Sequence, residues 1–146
     1  MLDPDLDAAI RARLQDAPFA GWFGIELVSL DEGTGTVRLK LAAHHLNPGG
    51  IAHGGVAAAL LDSVIGLALR TRLGMGATHV TTALHLNYLR PVSDGTIVAT
   101  GHAVSSGGRV GYGEGAITDA GGALLVRGSA TFMVWEPGRG LPETPG

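Results

Sequence analysis

The chain has 146 residues, of which 45% are hydrophobic and 16% charged, enough for one domain around a single core. A formal net charge of -3, with Lys and Arg scattered, leaves no basic footprint for a nucleic-acid partner. Cysteine is absent, which excludes disulfides, thiolate catalysis and Cys-ligated metals and is compatible with a reducing cytosol.

The N-terminus, MLDPDLDAAIRARLQD, starts acidic and lacks the basic-then-apolar run of a secretory leader. Over residues 5–15, Leu6, Ile10 and Leu14 recur at spacing four behind Asp3 or Asp5, predicting a short capped amphipathic helix that Pro18 and Gly21 end. Residues 25–30 and 36–41 predict two strands joined at Asp31-Glu32-Gly33. In the second, Val37, Leu39 and Leu41 alternate with Arg38 and Lys40, so one face is buried. Residues 42–52 read as a loop centred on Asn47-Pro48-Gly49-Gly50.

A long helix is predicted over residues 54–73, closed by Gly74 and Gly76, with apolar residues around almost its whole circumference. Its apolar run, residues 54–69, is shorter than the roughly 20 residues of a membrane span and contains Asp62. It therefore reads as a core helix, and no membrane partner is expected. Residues 78–89, 97–104, 110–118 and 123–135 follow as strands, separated by Asp94-Gly95, Gly107-Gly108 and residues 119–122. Such short connections predict a largely antiparallel meander.

The fold class is α+β: a curved antiparallel sheet wrapped around one long central helix. Gly101, Gly111, Gly113, Gly115 and Gly128 fall inside predicted strands, where glycine marks bending or close backbone approach. Residues 1–18 form an N-terminal helix of the same domain, 19–136 its body, and 137–146 a Gly- and Pro-rich tail expected to be disordered.

The chemistry gathers around the long helix. It opens on His53-Gly54-Gly55, and a helix start offers unpaired N–H groups that glycine lets a ligand oxygen reach. That is what an oxyanion site requires, although the dipeptide alone also serves for a tight entry turn. Asp62 is more telling, because a carboxylate in an apolar helix is costly unless something uses it or pairs with it. Eight residues of helix separate Gly54 from Asp62 by roughly 12 Å. One substrate carbonyl cannot meet both groups of the same helix, so a working site needs two chains related by a two-fold axis.

The spacing from Asn47 through His53-Gly54-Gly55 to Asp62, with Asn87-Tyr88-Leu89-Arg90-Pro91 and Asp94-Gly95 downstream, resembles the PaaI-type acyl-CoA thioesterases of the hotdog superfamily. The likeness covers about residues 19–134. It implies hydrolysis of an acyl-CoA thioester to the free acid and CoA, with Asp62 as general base or nucleophile and the Gly54 N–H, or that of Gly55, polarising the carbonyl. It further implies that His53 shapes the turn and assists the leaving thiol. Asn47 would orient water or thioester, and Thr81 would help Asp62 position water. Arg90, Ser106 and Arg109 resemble the region that contacts CoA. The resemblance implies a homodimer, commonly paired into a homotetramer, in the cytoplasm, with no metal and no cofactor.

Other features carry less. His44 and His45 are adjacent but lack a third ligand at metal-binding spacing. His79, His85 and Asn87 share strand parity with Thr81, predicting one polar face turned to solvent or to another dimer. Trp22 and Phe23 either close the core or line the acyl pocket. No G-x-S-x-G elbow, P-loop or dinucleotide fingerprint is present. A non-catalytic acyl-CoA-binding module of the same fold, a sensor or carrier, is the competing reading. A hotdog dehydratase or hydratase is a third, whose usual motif is missing.

Overall fold

A computed structural model describes residues 1–135. The first helix, α1 (Pro4–Gln15), has Pro4 in its first turn. Asp3 caps it, accepting from the N–H groups of Asp5 and Leu6 at 3.0 Å each. Pro18 does not merely stop that helix. It opens a second, α2 (Pro18–Phe23), because the fixed φ of proline suits a helix start as well as a helix end. Gly24 then ends α2 in the left-handed region at φ 94°.

Strands β1 (Glu26–Asp31) and β2 (Thr34–Lys40) form the expected hairpin. A single 3-10 turn (Ala43–His45) interrupts the loop leading to the long helix α3 (Gly54–Arg70). Four strands follow: β3 (Thr78–Tyr88), β4 (Thr96–Ser105), β5 (Val110–Thr118) and β6 (Leu124–Trp135). All pairings are antiparallel, in the order β1-β2-β4-β5-β6-β3. The meander therefore holds only for β4, β5 and β6. Strand β3 lies outside β6, and β2 pairs with β4 across the intervening helix. The expected sequential neighbours β3 and β4 are separated because such pairing is long-range and leaves no local mark on the sequence.

Helix α3 lies against the concave face of the sheet, and glycines set how closely. A Cβ built on Gly111, Gly113 or Gly115 would come within 2.6, 2.6 and 3.0 Å of Leu69, Ile65 and Leu61. Four residues of helix advance about 6 Å and two of strand about 6.7 Å, so the helix leucines and isoleucine step along β5 in register with its glycines. At Gly101 a Cβ would lie 2.6 Å from the Val64 carbonyl oxygen, so helix backbone meets strand backbone. The core on either side is Val37, Leu39, Leu60, Leu61, Ile65, Leu69, Ile117 and Phe132, all essentially inaccessible to solvent.

Burial of α3 is less complete than its composition predicts. Ala58, Ala59, Asp62, Ser63, Leu67 and Arg70 are only partly buried in the single chain, a stripe along one side of the helix. No helix among the described residues is long and apolar enough to cross a membrane. The tail expected over 137–146 lies outside the described residues.

Candidate active site

Asp62 sits halfway along α3 on that stripe and opens into a cavity of about 560 Å³. Its Oδ1 accepts a hydrogen bond of 2.6 Å from the Thr81 hydroxyl on β3, a length expected for a hydroxyl on a carboxylate. Thr81 reaches Asp62 because β3 carries a bulge between Thr81 and Ala83. Before the bulge, His79 and Thr81 pair with Val134 and Phe132 and face the helix. After it, His85 and Asn87 pair with Ser129 and Arg127 and line a separate polar hollow on the other face. The single polar face expected of His79, Thr81, His85 and Asn87 is thus two faces, since one inserted residue reverses the alternation.

His79 stands in the Asp62 cavity, edge-on to Phe132 with ring centroids 5.1 Å apart. Burial, then the charges of Arg70 and Arg13, lower its pKa below the usual 6.5, while Asp62 pulls the other way.

The start of α3 makes a second cavity, about 380 Å³, lined among others by Asn47, His53, Gly54, Tyr88, Arg90 and Pro91. His53 is the N-cap, and its Nδ1 accepts from the Gly55 N–H at 2.8 Å. Nδ1 being an acceptor, the neutral ring carries its proton on Nε2. The Val56 N–H bonds the His53 carbonyl at 2.9 Å. Among the described residues this leaves the exposed Gly54 N–H as the unengaged donor of the first turn, whereas that of Gly55, the alternative donor, is already taken. Asn47 is locked by its own loop, Oδ1 accepting from Gly49 and Ile51 at 2.9 and 3.3 Å. That turn fixes the side chain and commits its oxygen, leaving the NH2 as its free end.

Sequence reasoning gave Tyr88 no individual role. Its hydroxyl donates to the Gly54 carbonyl at 2.5 Å, tying the end of β3 to the start of α3. An exposed tyrosine at a strand end gives no sign of that contact until β3 is known to run beside the helix start.

The remaining candidates divide between the two ends of the sheet. Arg90 lies with Asn47 and Gly54. Ser106 and Arg109 occupy the β4–β5 turn at the opposite end, where the Arg109 carbonyl bonds the Val134 N–H at 2.8 Å. One chain does not bring them together. His45 is buried, its Nδ1 accepting from the Ala42 N–H at 3.0 Å and its Nε2 donating to the Phe23 carbonyl at 2.7 Å, so both ring nitrogens hold the loop. Phe23 packs on that ring at 5.0 Å, whereas Trp22 is 72% exposed and closes no core.

Comparison with known proteins agrees with this architecture. Residues 49–126 match the thioesterase superfamily. A candidate esterase of Halobacterium salinarum is 33% identical over 75% of this chain and 76% of its own length. Human acyl-coenzyme A thioesterase 13 is 31% identical over 73% and 77%. Among solved structures, a conserved protein of Pseudomonas aeruginosa superposes with a TM-score of 0.80 at 31% identity, covering 84% of this chain and 98% of that one. The Escherichia coli PaaI protein of the phenylacetic acid degradation operon, at 23% identity, shares the fold with a TM-score of 0.85 over 94% and 98%. The six-stranded curved sheet around α3 is the hotdog fold, and the chain belongs to the thioesterase superfamily.

Proposed function

We propose that the chain hydrolyses an acyl-CoA thioester to a carboxylic acid and CoA, in a site that two copies build together. The observation that carries this is the Thr81–Asp62 hydrogen bond in a cavity to which the Gly54 N–H does not contribute. Membership of the thioesterase superfamily supports the reaction class. Two unpartnered features support the dimer. One is β3, an edge strand of 11 residues whose outer side has no neighbour among the described residues. The other is the part of the half-covered α3 stripe that lies outside the Asp62 cavity, at Ala58 and Ala59.

In this reading Asp62 of one copy faces Gly54 of the other across the two-fold axis. Thr81 holds Oδ1, so Oδ2 of Asp62 is free to take a proton from water as the water oxygen bonds to the thioester carbon. The carbonyl electrons move onto oxygen, where the Gly54 N–H and the dipole of α3 stabilise them. Collapse of that intermediate breaks the carbon–sulfur bond, and the thiolate takes the proton back from Asp62 while the Nε2 N–H of His53 donates a hydrogen bond to the departing sulfur. The nucleophilic route differs in one respect: Asp62 itself bonds to the carbon and expels the thiolate, and water then hydrolyses the mixed anhydride.

The test offers purified protein a panel of aromatic and aliphatic acyl-CoAs and follows thiol release, beside Asp62→Asn. Release undiminished in that variant would sink the mechanism. Binding without release across the panel would point to a non-catalytic acyl-CoA-binding module. The shared site has its own test in mixing Asp62→Asn with Gly54→Pro chains. Proline at the first helical position removes the donor yet suits the helix, and His53 at φ -57° and ψ 142° is extended as a residue before proline must be. Random reassortment of two weak variants should restore about a quarter of the wild-type rate, because half the dimers then hold one intact site of two. No recovery in mixed dimers would overturn the shared site.

A further inference from the structure

The cavity at Asp62 does not end there. It runs along α3 past Gly66 to Arg70, roofed by α1 and α2 through Ile10, Arg13, Leu14 and Phe19. Its walls are mostly apolar, with Asp62, Thr81 and His79 grouped at one end and two guanidinium groups at the other. Arg70 is half-buried and gives one N–H to the Gly74 carbonyl at 3.1 Å; Arg13 stands exposed at the rim. Neither has a carboxylate partner among the described residues, where the two ion pairs are Arg11–Asp7 and Arg38–Glu26. They are close enough that Arg13, after burial, lowers the pKa of Arg70. Two like charges at one end of a mostly apolar cavity repel each other and are relieved by an anion between them. Gly66 keeps the path between Asp62 and Arg70 open, since a Cβ there would stand 3.2 Å from the His79 ring. The same lowered pKa keeps that ring neutral near pH 7, so it adds no third charge.

Resting on the thioesterase reading of Asp62, we propose that this cavity binds the acyl group, and that Arg70 and Arg13 take a carboxylate at its far end, making an ω-carboxyacyl thioester the preferred substrate class. Length supports an acyl carboxylate over a CoA phosphate. Asp62 and Arg70 are eight residues apart on one helix, a rise of about 12 Å, and helical side chains lean back toward the N-terminus, shortening the gap. An extended chain advances about 1.2 Å per bond, so a diacid chain of about six to ten carbons spans it. The pantetheine arm of CoA, about 13 bonds from sulfur to phosphorus, overshoots.

The experiment compares kcat/KM for suberyl-CoA and octanoyl-CoA, equal in length, with the full chain and with Arg70→Gln and Arg13→Gln, and repeats it with the corresponding pantetheine thioesters. The expected result is a preference for suberyl of at least about tenfold, which Arg70→Gln abolishes and Arg13→Gln reduces, with either thiol. Thermal unfolding confirms that the variants fold. If Arg70→Gln slows both CoA esters equally and neither pantetheine ester, the arginines hold phosphate and the proposal is overturned. Should octanoyl-CoA be cleaved as fast as suberyl-CoA, the specificity fails while the hydrolase reading stands. If no thioester is cleaved, calorimetry with suberate and octanoate decides. Tighter Arg70-dependent binding of suberate sustains the subsite without the reaction, and equal binding overturns it.

Discussion

The stretch of α3 from Gly54 to Asp62 offers different chemistry at its two ends. At its start the useful group belongs to the backbone: the Gly54 N–H, left free because His53 takes its neighbour. At its far end the useful group is a side chain, Asp62, gripped by Thr81 in a larger cavity that also holds His79, Arg13 and Arg70. A backbone donor costs no side-chain entropy and cannot titrate, which suits it to stabilising an oxyanion. A carboxylate can move a proton but must be held. Each end supplies what the other lacks, and the helix between them keeps them apart.

The largest effect that should separate the ends is Asp62→Asn. It is isosteric with the native side chain and can still accept from Thr81, yet it cannot take a proton, so kcat should fall by about 10²–10⁴ with little change in Tm. Gly54→Pro acts on the other end and should cost about 10²–10³ in kcat, leaving acyl-CoA binding nearly intact. If Gly54→Pro were silent, the start of α3 would have no part in the chemistry and the contrast between the ends would collapse. Thr81→Val should lower kcat about tenfold and Thr81→Ser should restore it, as expected for one hydrogen bond to a charged group. Failure of serine to rescue would make Thr81 a packing residue.

The smallest effect concerns pH and belongs to the Asp62 end alone. Because the folded state lowers the pKa of His79 below 6.5, the unfolded chain binds that proton first as the medium is acidified. Stability present above pH 6.5 should therefore be lost as pH falls through the folded-state value. In His79→Gln the decline of Tm with acid should be shallower. An unchanged slope would mean that His79 titrates as an ordinary exposed histidine.

What could be read from the chain was whatever is local. Asp62, the glycines at the helix start and the helix itself follow from spacing and pattern, and the 12 Å argument needs only helical rise. The rest depended on contacts between distant segments. Strict alternation put Thr81 and His85 on one face, and only the pairing of β3 with β6 exposes the bulge that parts them. Pro18 carries the same signal whether it ends one helix or opens another. The approach of Arg13 to Arg70 joins helices 57 residues apart in sequence (70 − 13), and no periodicity records it.

The glycine steps of β5 have a consequence for anyone redesigning this protein. With Leu61, Ile65 and Leu69 seated over Gly115, Gly113 and Gly111, the helix can neither slide along the sheet nor rise from it in small increments. A single methyl at Gly113 would stand 2.6 Å from the Ile65 side chain and 2.7 Å from the His102 carbonyl oxygen, so it would press α3 away from the sheet and strain β4 at once. If two copies build the site as proposed, each site takes one group from each helix, and one displacement enters every site twice. On that reading, residues far from any substrate act as the gauge that holds the two proposed catalytic groups at working distance, and tolerance to change should be lowest there rather than along the proposed acyl cavity.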